Sequence, residues 1–336
     1  MSVNFLHKRR EQSKVKSLLD HISSGTVTGK YDPDKVVKTI PELDKFIREK
    51  LRGDVTIVLA PTGAGKTTFI LNDFIHCIRG EIERNRNGCC VIFALEQSVS
   101  EIAEKWMKMT DGDPEIAERL FVFSNFDEEE SMGLSDMRIK IVEIEETTGF
   151  KVVNMTLDHL HLIKTKHIDY NPVMAEIKRM SKDLDVHITV VSQTQKANQI
   201  IDVPVPRTGV YNCSQAEWIA TNMISIFQPL SRVRSESGLE ILGVQYCKIR
   251  YKNKRDRIKE GMNYLLSYDA DTELLSPLNS EERSKFTMWF EKVLELRQNE
   301  EKYKSFQFDL SHTVKGKDGK EVVINSIVGG NKAGDD

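Results

Sequence analysis

VTIVLAPTGAGKTTFILNDFIHCI, residues 55–78, is the stretch that decides the fold. Its first six residues are a short apolar run rich in β-branched side chains, as in a buried strand. APTGAGKTT (60–68) is a glycine-rich turn. TTFILNDFIHCI then carries Phe69, Ile70, Phe74, Cys77 and Ile78 at roughly helical spacing. Strand, glycine-rich loop and helix, in that order, make a phosphate-binding loop. Gly63 and Gly65 let the backbone approach phosphate oxygens closely, and successive N–H groups and the helix N-terminus face the anion. Ala60, Pro61, Thr62, Gly63, Ala64, Gly65, Lys66, Thr67 and Thr68 are therefore the candidate nucleotide-binding residues. Lys66 reaches the β and γ phosphates and the Thr67 hydroxyl ligates Mg²⁺, so ATP and Mg²⁺ are the expected cofactors. The common pattern opens with Gly, and this chain has Ala60 there.

On both sides of this unit, short apolar runs alternate with helical patterns. CCVIFAL (89–95), FVFSN (121–125), VVNMTLDHLHLI (152–163) and HITVVSQ (187–193) read as strands. SVSEIAEKWMKM, SDMRIKIVEIEETTG and NPVMAEIKRMSKDLD read as helices, the first with Ser98 or Ser100 as N-cap and the second ending at Gly149. WIATNMISIFQ (218–228) and LEILGVQYCKIR (239–250) look like further strands. The alternation predicts an α/β fold, with a mostly parallel central sheet flanked by helices. Residues 279–304 read as an amphipathic helix outside that core, and the terminal GGNKAGDD as disordered. The expected organisation is a basic arm over 1–34, an ATPase domain over 35–278 and a C-terminal helix and tail over 279–336.

Composition limits the class. With 39% hydrophobic and 29% charged residues in 336, the chain can bury a core. The net charge of −3 means that any nucleic-acid contact must come from local basic patches. The five cysteines form no C-x-x-C pair, which argues against a zinc site or disulfide framework and suits a reducing compartment. Charges at the N-terminus and the lack of a long apolar run predict no signal peptide and no membrane span, hence a cytoplasmic protein, or one of the host cytoplasm if phage-encoded.

Four further places carry chemistry. Asp158 closes a buried strand, where a Mg²⁺-organising carboxylate belongs. Glu96 closes the strand after the phosphate-loop helix and is suited to orient and polarise an attacking water; the alternative is a cap on the next helix. Gln193, at another strand end, can sense the γ-phosphate. CKIRYKNKRDRIK (247–259) holds seven cations against one acid. Lys248 and Arg250 lie two apart in it, on one face of a strand, and suit a triphosphate, including one held by a neighbouring subunit. The alternative is a solvated basic hairpin.

Phosphate loop, strand-end Glu, strand-end Asp, Ser-Gln and Lys-x-Arg come in an order that resembles the motor domain of DnaB-type replicative helicases, a RecA-like family. The resemblance covers about residues 40–275. ALEQS (94–98), TLDHLHLI, EIKRMSKDLDVHITVVSQTQK and KIR carry it, and Ala60 is itself common in the family. It implies Glu96 as catalytic base, Asp158 as the Mg²⁺ residue, Arg250 as an arginine finger acting between subunits and Lys248 as its companion. It implies a homo-oligomeric ring, a hexamer, translocating 5′→3′ on single-stranded DNA during replication, with a helicase loader or primase as the kind of partner. Two loops, about 164–172 and 196–214, would grip DNA through Lys164, Lys166, Lys196 and Arg207. The family's N-terminal collar has no counterpart in these residues, nor does a primase domain or zinc ribbon. SQAEWIATN has Thr221 and Asn222 where the family carries an acid. Two other readings share the motifs: a RecA-class recombination or repair ATPase, and a regulatory ATPase acting through a protein partner.

Overall fold

The computed structural model describes residues 32–44, 50–126, 131–165, 170–192, 194, 200–210, 213, 215–250, 261–308, 311–315 and 321–325. Most of the basic arm, Gln193, Lys166, Lys196, most of the basic segment 247–259 and the GGNKAGDD end lie outside the described residues. The chain divides into two units, residues 1–36 and 37–336. Of the first, the described part is a 3₁₀ turn, Pro33–Lys35, started by Asp32, whose side chain accepts the Asp34 N–H.

Among the described residues of the second unit, the main sheet has nine strands. β1 (Val55–Leu59) leads into α1 (Lys66–Glu83), and β2 (Gly88–Ala94) into α2 (Val99–Thr110). β3 (Leu120–Ser124), α3 (Leu134–Thr148), β4 (Lys151–Asp158), α4 (Asn171–Asp183) and β5 (His187–Ser192) follow. β6 (Asn222–Phe227), β7 (Ile241–Ile249), β8 (Asn263–Tyr268) and β9 (Leu275–Pro277) complete the sheet. The spatial order is β9-β8-β7-β6-β1-β5-β4-β2-β3. Pairings from β3 to β6 are parallel, and those from β6 to β9 are antiparallel.

Side-chain alternation divides the core between the two faces of the sheet. Val58, Ala60, Cys90 and Ile92 pack with Phe69, Ile70, Phe74 and Ile78 of α1 and with Ile102 and Trp106 of α2. Ile57, Leu59, Cys89, Val91 and Phe93 pack with Met137 and Ile141 of α3 and with Val173, Met174 and Ile177 of α4. Each fully buried Phe or Ile contributes ~1.5–3 kcal/mol relative to exposure. Ser98 caps α2 in a reciprocal capping box with Glu101, which settles the choice between Ser98 and Ser100. Gly149 ends α3 in the left-handed conformation.

Two boundaries differ from the sequence expectation. The run 152–163 is a strand only to Asp158, where the chain turns into a 3₁₀ helix over Leu160–Leu162. The run 218–228 is a strand only from Asn222; Ala216–Ile219 is a helical turn closed by Ala220 N–H to Ala216 O at 3.0 Å. Its alternation is broken because Ala216 and Ala220, four apart, are both buried while Trp218 is exposed. β7 runs antiparallel to β6, so its far end returns to the start of the parallel strands. α5 (Ser280–Phe308) presents Phe286, Trp289, Phe290 and Val293 at helical spacing to a smaller apolar cluster of Leu230, Val233, Leu239, Ile241 and Leu278. Two short antiparallel strands, β10 (Ser311–Lys315) and β11 (Glu321–Asn325), follow.

Candidate functional site

The C-terminal ends of β1, β5, β4 and β2 are neighbours, so whatever follows them converges. Leu59 pairs with Ser192, Val191 with Asp158, and Asp158 with Ala94. The phosphate loop leaves β1, and Glu96 stands two residues beyond β2. Gln193 follows Ser192 and lies outside the described residues.

Gly63 and Gly65 have φ of +77° and +94°, conformations open to glycine. A Cβ on Gly65 would stand 3.1 Å from Leu242 Cδ1. A methyl group at Gly65 would crowd Leu242, whereas at Gly63 the nearest atom, Ile201 Cδ1, is 4.0 Å away. α1 begins directly at Lys66, and its eighteen residues aim their free N–H groups and positive dipole end at the loop. Ala60 is buried in the core beside Val58 and Ala64, so its methyl group is accommodated.

A cleft of about 550 Å³ opens on this loop. Its lining includes Lys66, Thr67, Glu96, Gln97, Asp158 and His159 beside the phosphate loop, and the apolar Leu230, Leu239, Ile241, Leu242 and Leu275 with Tyr268. The Lys66 ammonium donates to Pro61 O at 3.3 Å; burial pulls its pKa down, while Asp158 and Glu96 push it back up. Thr67 Oγ1 donates to Gln97 Oε1 at 3.1 Å. Burial lifts the Asp158 carboxyl to about 7 against the attraction of Lys66, with Glu96 adding to the rise. Asp158 Oδ1 is buried without a hydrogen-bond partner, a cost that a cation or donor in the cleft would remove. His159 is buried, with Nδ1 2.6 Å from Glu96 Oε2, and burial lowers its imidazole to about 3. The donor set fits a triphosphate with a hard divalent cation: glycine-lined N–H groups, an ammonium, a hydroxyl and an unpaired carboxylate oxygen.

Lys248 and Arg250 are elsewhere. Thr221 N–H bonds Val55 O, and Arg250 N–H bonds Thr221 O at 3.0 Å, so Arg250 is level with the start of β1. The phosphate loop lies beyond the other end of that strand, on the order of 15 Å away. The Arg250 guanidinium donates to Trp218 O, and Lys248 Nζ to Ala220 O at 3.0 Å. Of the other two described basic candidates, Arg207 is exposed and pairs with Glu217 at 3.3 Å. Lys164 is exposed, its N–H bonded to Met132 O at 2.9 Å.

Gln97, His159, Gln228 and Tyr268 join the site without having been singled out in the sequence. The first two are direct neighbours of Glu96 and Asp158, a usable signal. Gln228 Nε2 donates to Gly63 O at 3.0 Å because β6 lies beside β1, a pairing that sequence order does not reveal.

The AAA domain family matches residues 28–199. The replicative DNA helicase DnaB of Geobacillus stearothermophilus is 23% identical over 203 residues, covering 53% of this chain and 42% of that protein. The chain thus spans less than half the length of that relative. Among solved structures, one isolated ATPase domain superposes with a TM-score of 0.60 at 15% identity, over 79% of this chain and all of that one. A DnaB-like replicative helicase, solved in a study of its interactions with primase, gives 0.61 at 14% identity, over 82% of this chain and 71% of that one. These likenesses carry the RecA-like fold. Among the described residues, no helix is long and apolar enough to cross a membrane.

Proposed function

The chain belongs to the AAA domain family, with a core of the RecA-like, DnaB helicase type, and from that premise we propose that it is an ATP-dependent motor on single-stranded DNA. The observation that carries this reading is the meeting of Lys66, Thr67, Glu96 and Asp158 in one cleft, with Arg250 at the far end of the same strands.

In this reading Gly63, Gly65 and the start of α1 bind the phosphates, and Lys66 offsets their charge. Thr67 and Asp158 would hold a divalent cation, which would supply neutralisation of phosphate charge. Glu96 takes the proton of the attacking water. Arg250 of one copy completes the cleft of the next and stabilises charge on the transferring phosphoryl group. That assignment is supported by distance: Arg250 cannot reach its own phosphate loop without dismantling β7. A closed ring satisfies such head-to-tail contacts, and a hexamer is the proposed state. Gln193 links loss of the γ-phosphate to the loops that hold DNA. Lys164, Lys166, Lys196 and Arg207 contact the DNA backbone, the motor moves 5′→3′, and a loader or primase is its partner.

The test is steady-state ATP hydrolysis with and without single-stranded DNA, beside unwinding of a forked duplex. Stimulation by DNA and opening of the fork, both lost in Arg250→Ala while ATP still binds, support the motor. Hydrolysis indifferent to DNA, with no fork opened, would overturn it.

A further inference from the structure

His159 follows Asp158 into the floor of the cleft and is only 2% exposed. Both ring nitrogens are buried without an aligned hydrogen-bond partner. Yet Nδ1 stands 2.6 Å from Glu96 Oε2 and 3.4 Å from Asp158 Oδ1. A neutral imidazole donates from one nitrogen. The shorter approach selects Glu96, since a contact of 3.4 Å is beyond ordinary hydrogen-bond length. The two partners differ in freedom. His159 is fixed: its carbonyl accepts from Leu162 N–H at 3.1 Å in the turn Leu160–Leu162, and its ring lies 5.4 Å from that of His161. Glu96 projects from a bend after β2 with half of its side chain in solvent. Of the two, the half-exposed Glu96 side chain is the one with room to turn toward Nδ1.

We propose that His159 is a positioning residue that donates its Nδ1–H to Glu96 and holds that carboxylate at the angle from which it addresses the attacking water. A carboxylate on three free torsions samples many orientations, and fixing it raises the fraction of encounters with usable geometry. The proposal rests on Glu96 as the base, and so deepens the function proposed above. His159 touches neither water nor phosphate in this role. Its loss therefore changes turnover and leaves nucleotide binding as it was.

The experiment compares the full-length wild type with His159→Phe, His159→Asn and Glu96→Gln. Measured for each are kcat and KM for ATP with Mg²⁺, the Kd of a fluorescent ATP analogue, and melting temperature. Asn carries an amide N–H near the position of Nδ1; Phe keeps the ring and loses the donor. The expected result is a kcat about 10- to 100-fold lower in His159→Phe with KM and Kd unchanged, and recovery to within about threefold of wild type in His159→Asn. Equal loss of kcat in the Phe and Asn variants, or weakened binding of the analogue in both, would overturn the proposal. A second readout needs no turnover. In protein labelled with ¹⁵N-histidine, the ring signals missing from whichever of His159→Asn and His159→Phe is folded should report an Nδ1–H tautomer and shift in Glu96→Gln; an Nε2–H tautomer overturns the proposal whatever the variants' kcat. Normal hydrolysis by Glu96→Gln would instead remove Glu96 as the base. An inactive Glu96→Gln beside a fully active His159→Phe removes only the role of His159.

Discussion

Gly65 and Glu96 show how single residues divide the work. Gly65 permits a backbone turn that a side chain would strain, and Leu242 Cδ1 lies 3.1 Å from where its Cβ would stand. Gly65→Ala should therefore weaken nucleotide binding at least tenfold, about 1.4 kcal/mol, measured by titration with a fluorescent ATP analogue; unchanged affinity would show that the loop tolerates the methyl group. Glu96, in contrast, leaves the loop's shape alone, so Glu96→Gln should bind ATP normally and lose about 10²- to 10⁴-fold in kcat. His187 makes a prediction about pH. It is buried in β5, with Nδ1 3.1 Å from Leu51 O, and burial lowers its imidazole from 6.5 to about 4. The unfolded chain then takes up a proton first, so stability is lost as pH falls from about 6.5 toward 4, by up to ~3 kcal/mol. Buried Asp158 has the opposite sign: its raised pKa makes the nucleotide-free protein less stable as pH rises toward 7. Comparing melting temperatures from about pH 7 to about pH 4 for wild type and His187→Asn isolates the histidine. The variant should show the shallower loss on acidification, and equal slopes would refute the assignment.

Among the elements, α5 has the most specific attachment. Its apolar stripe covers a small cluster, and Arg297 adds a two-pronged bond to the buried carboxylate of Asp202, at 2.9 and 3.1 Å. Arg232 donates to the same carboxylate at 2.8 Å. Burial alone would raise the Asp202 pKa, but the hydrogen bonds from Arg297 and Arg232 outweigh it and hold the carboxyl below its ordinary value. The neighbouring Ile201 accepts Gln228 N–H at 2.7 Å, and Gln228 holds Gly63, so α5 and the phosphate loop are joined through one short segment. Arg297→Ala should cost about 1.5–3 kcal/mol in chemical denaturation and expose α5 to limited proteolysis. A variant as stable and protease-resistant as wild type would show that the Arg297–Asp202 bond does not anchor α5.

Across the whole molecule, the strand order sets the separation between Arg250 and the phosphate loop, and with it a test of assembly. In the proposed assembly Lys66→Ala lacks a working loop and Arg250→Ala lacks the cation it would give to a neighbour's loop, so each alone should be inactive. Mixed in equal amounts with exchange of subunits, they form some junctions that pair an intact loop with an intact arginine. Activity should return to about a quarter of wild type, the share of such junctions in a randomly mixed head-to-tail assembly. No recovery, despite demonstrated exchange, would mean that Arg250 does not act between copies.

The sequence alone determined the local chemistry. APTGAGKTT carries its own instructions because loop shape, glycine conformation and helix start all follow from adjacent residues. The alternation of strands and helices, and the strand-end positions of Glu96 and Asp158, were likewise legible, since a short apolar run ending in a carboxylate is a local pattern. Tertiary structure decided what depends on which strands are neighbours. It set Gln228 on Gly63, brought Tyr268 and Leu275 to the lining of the cleft, and turned β7 antiparallel, so that Arg250 lies away from its own phosphate loop. It also set His159 against Glu96. Sixty-three positions separate those two residues, and only the pairing of β4 with β2 brings them together.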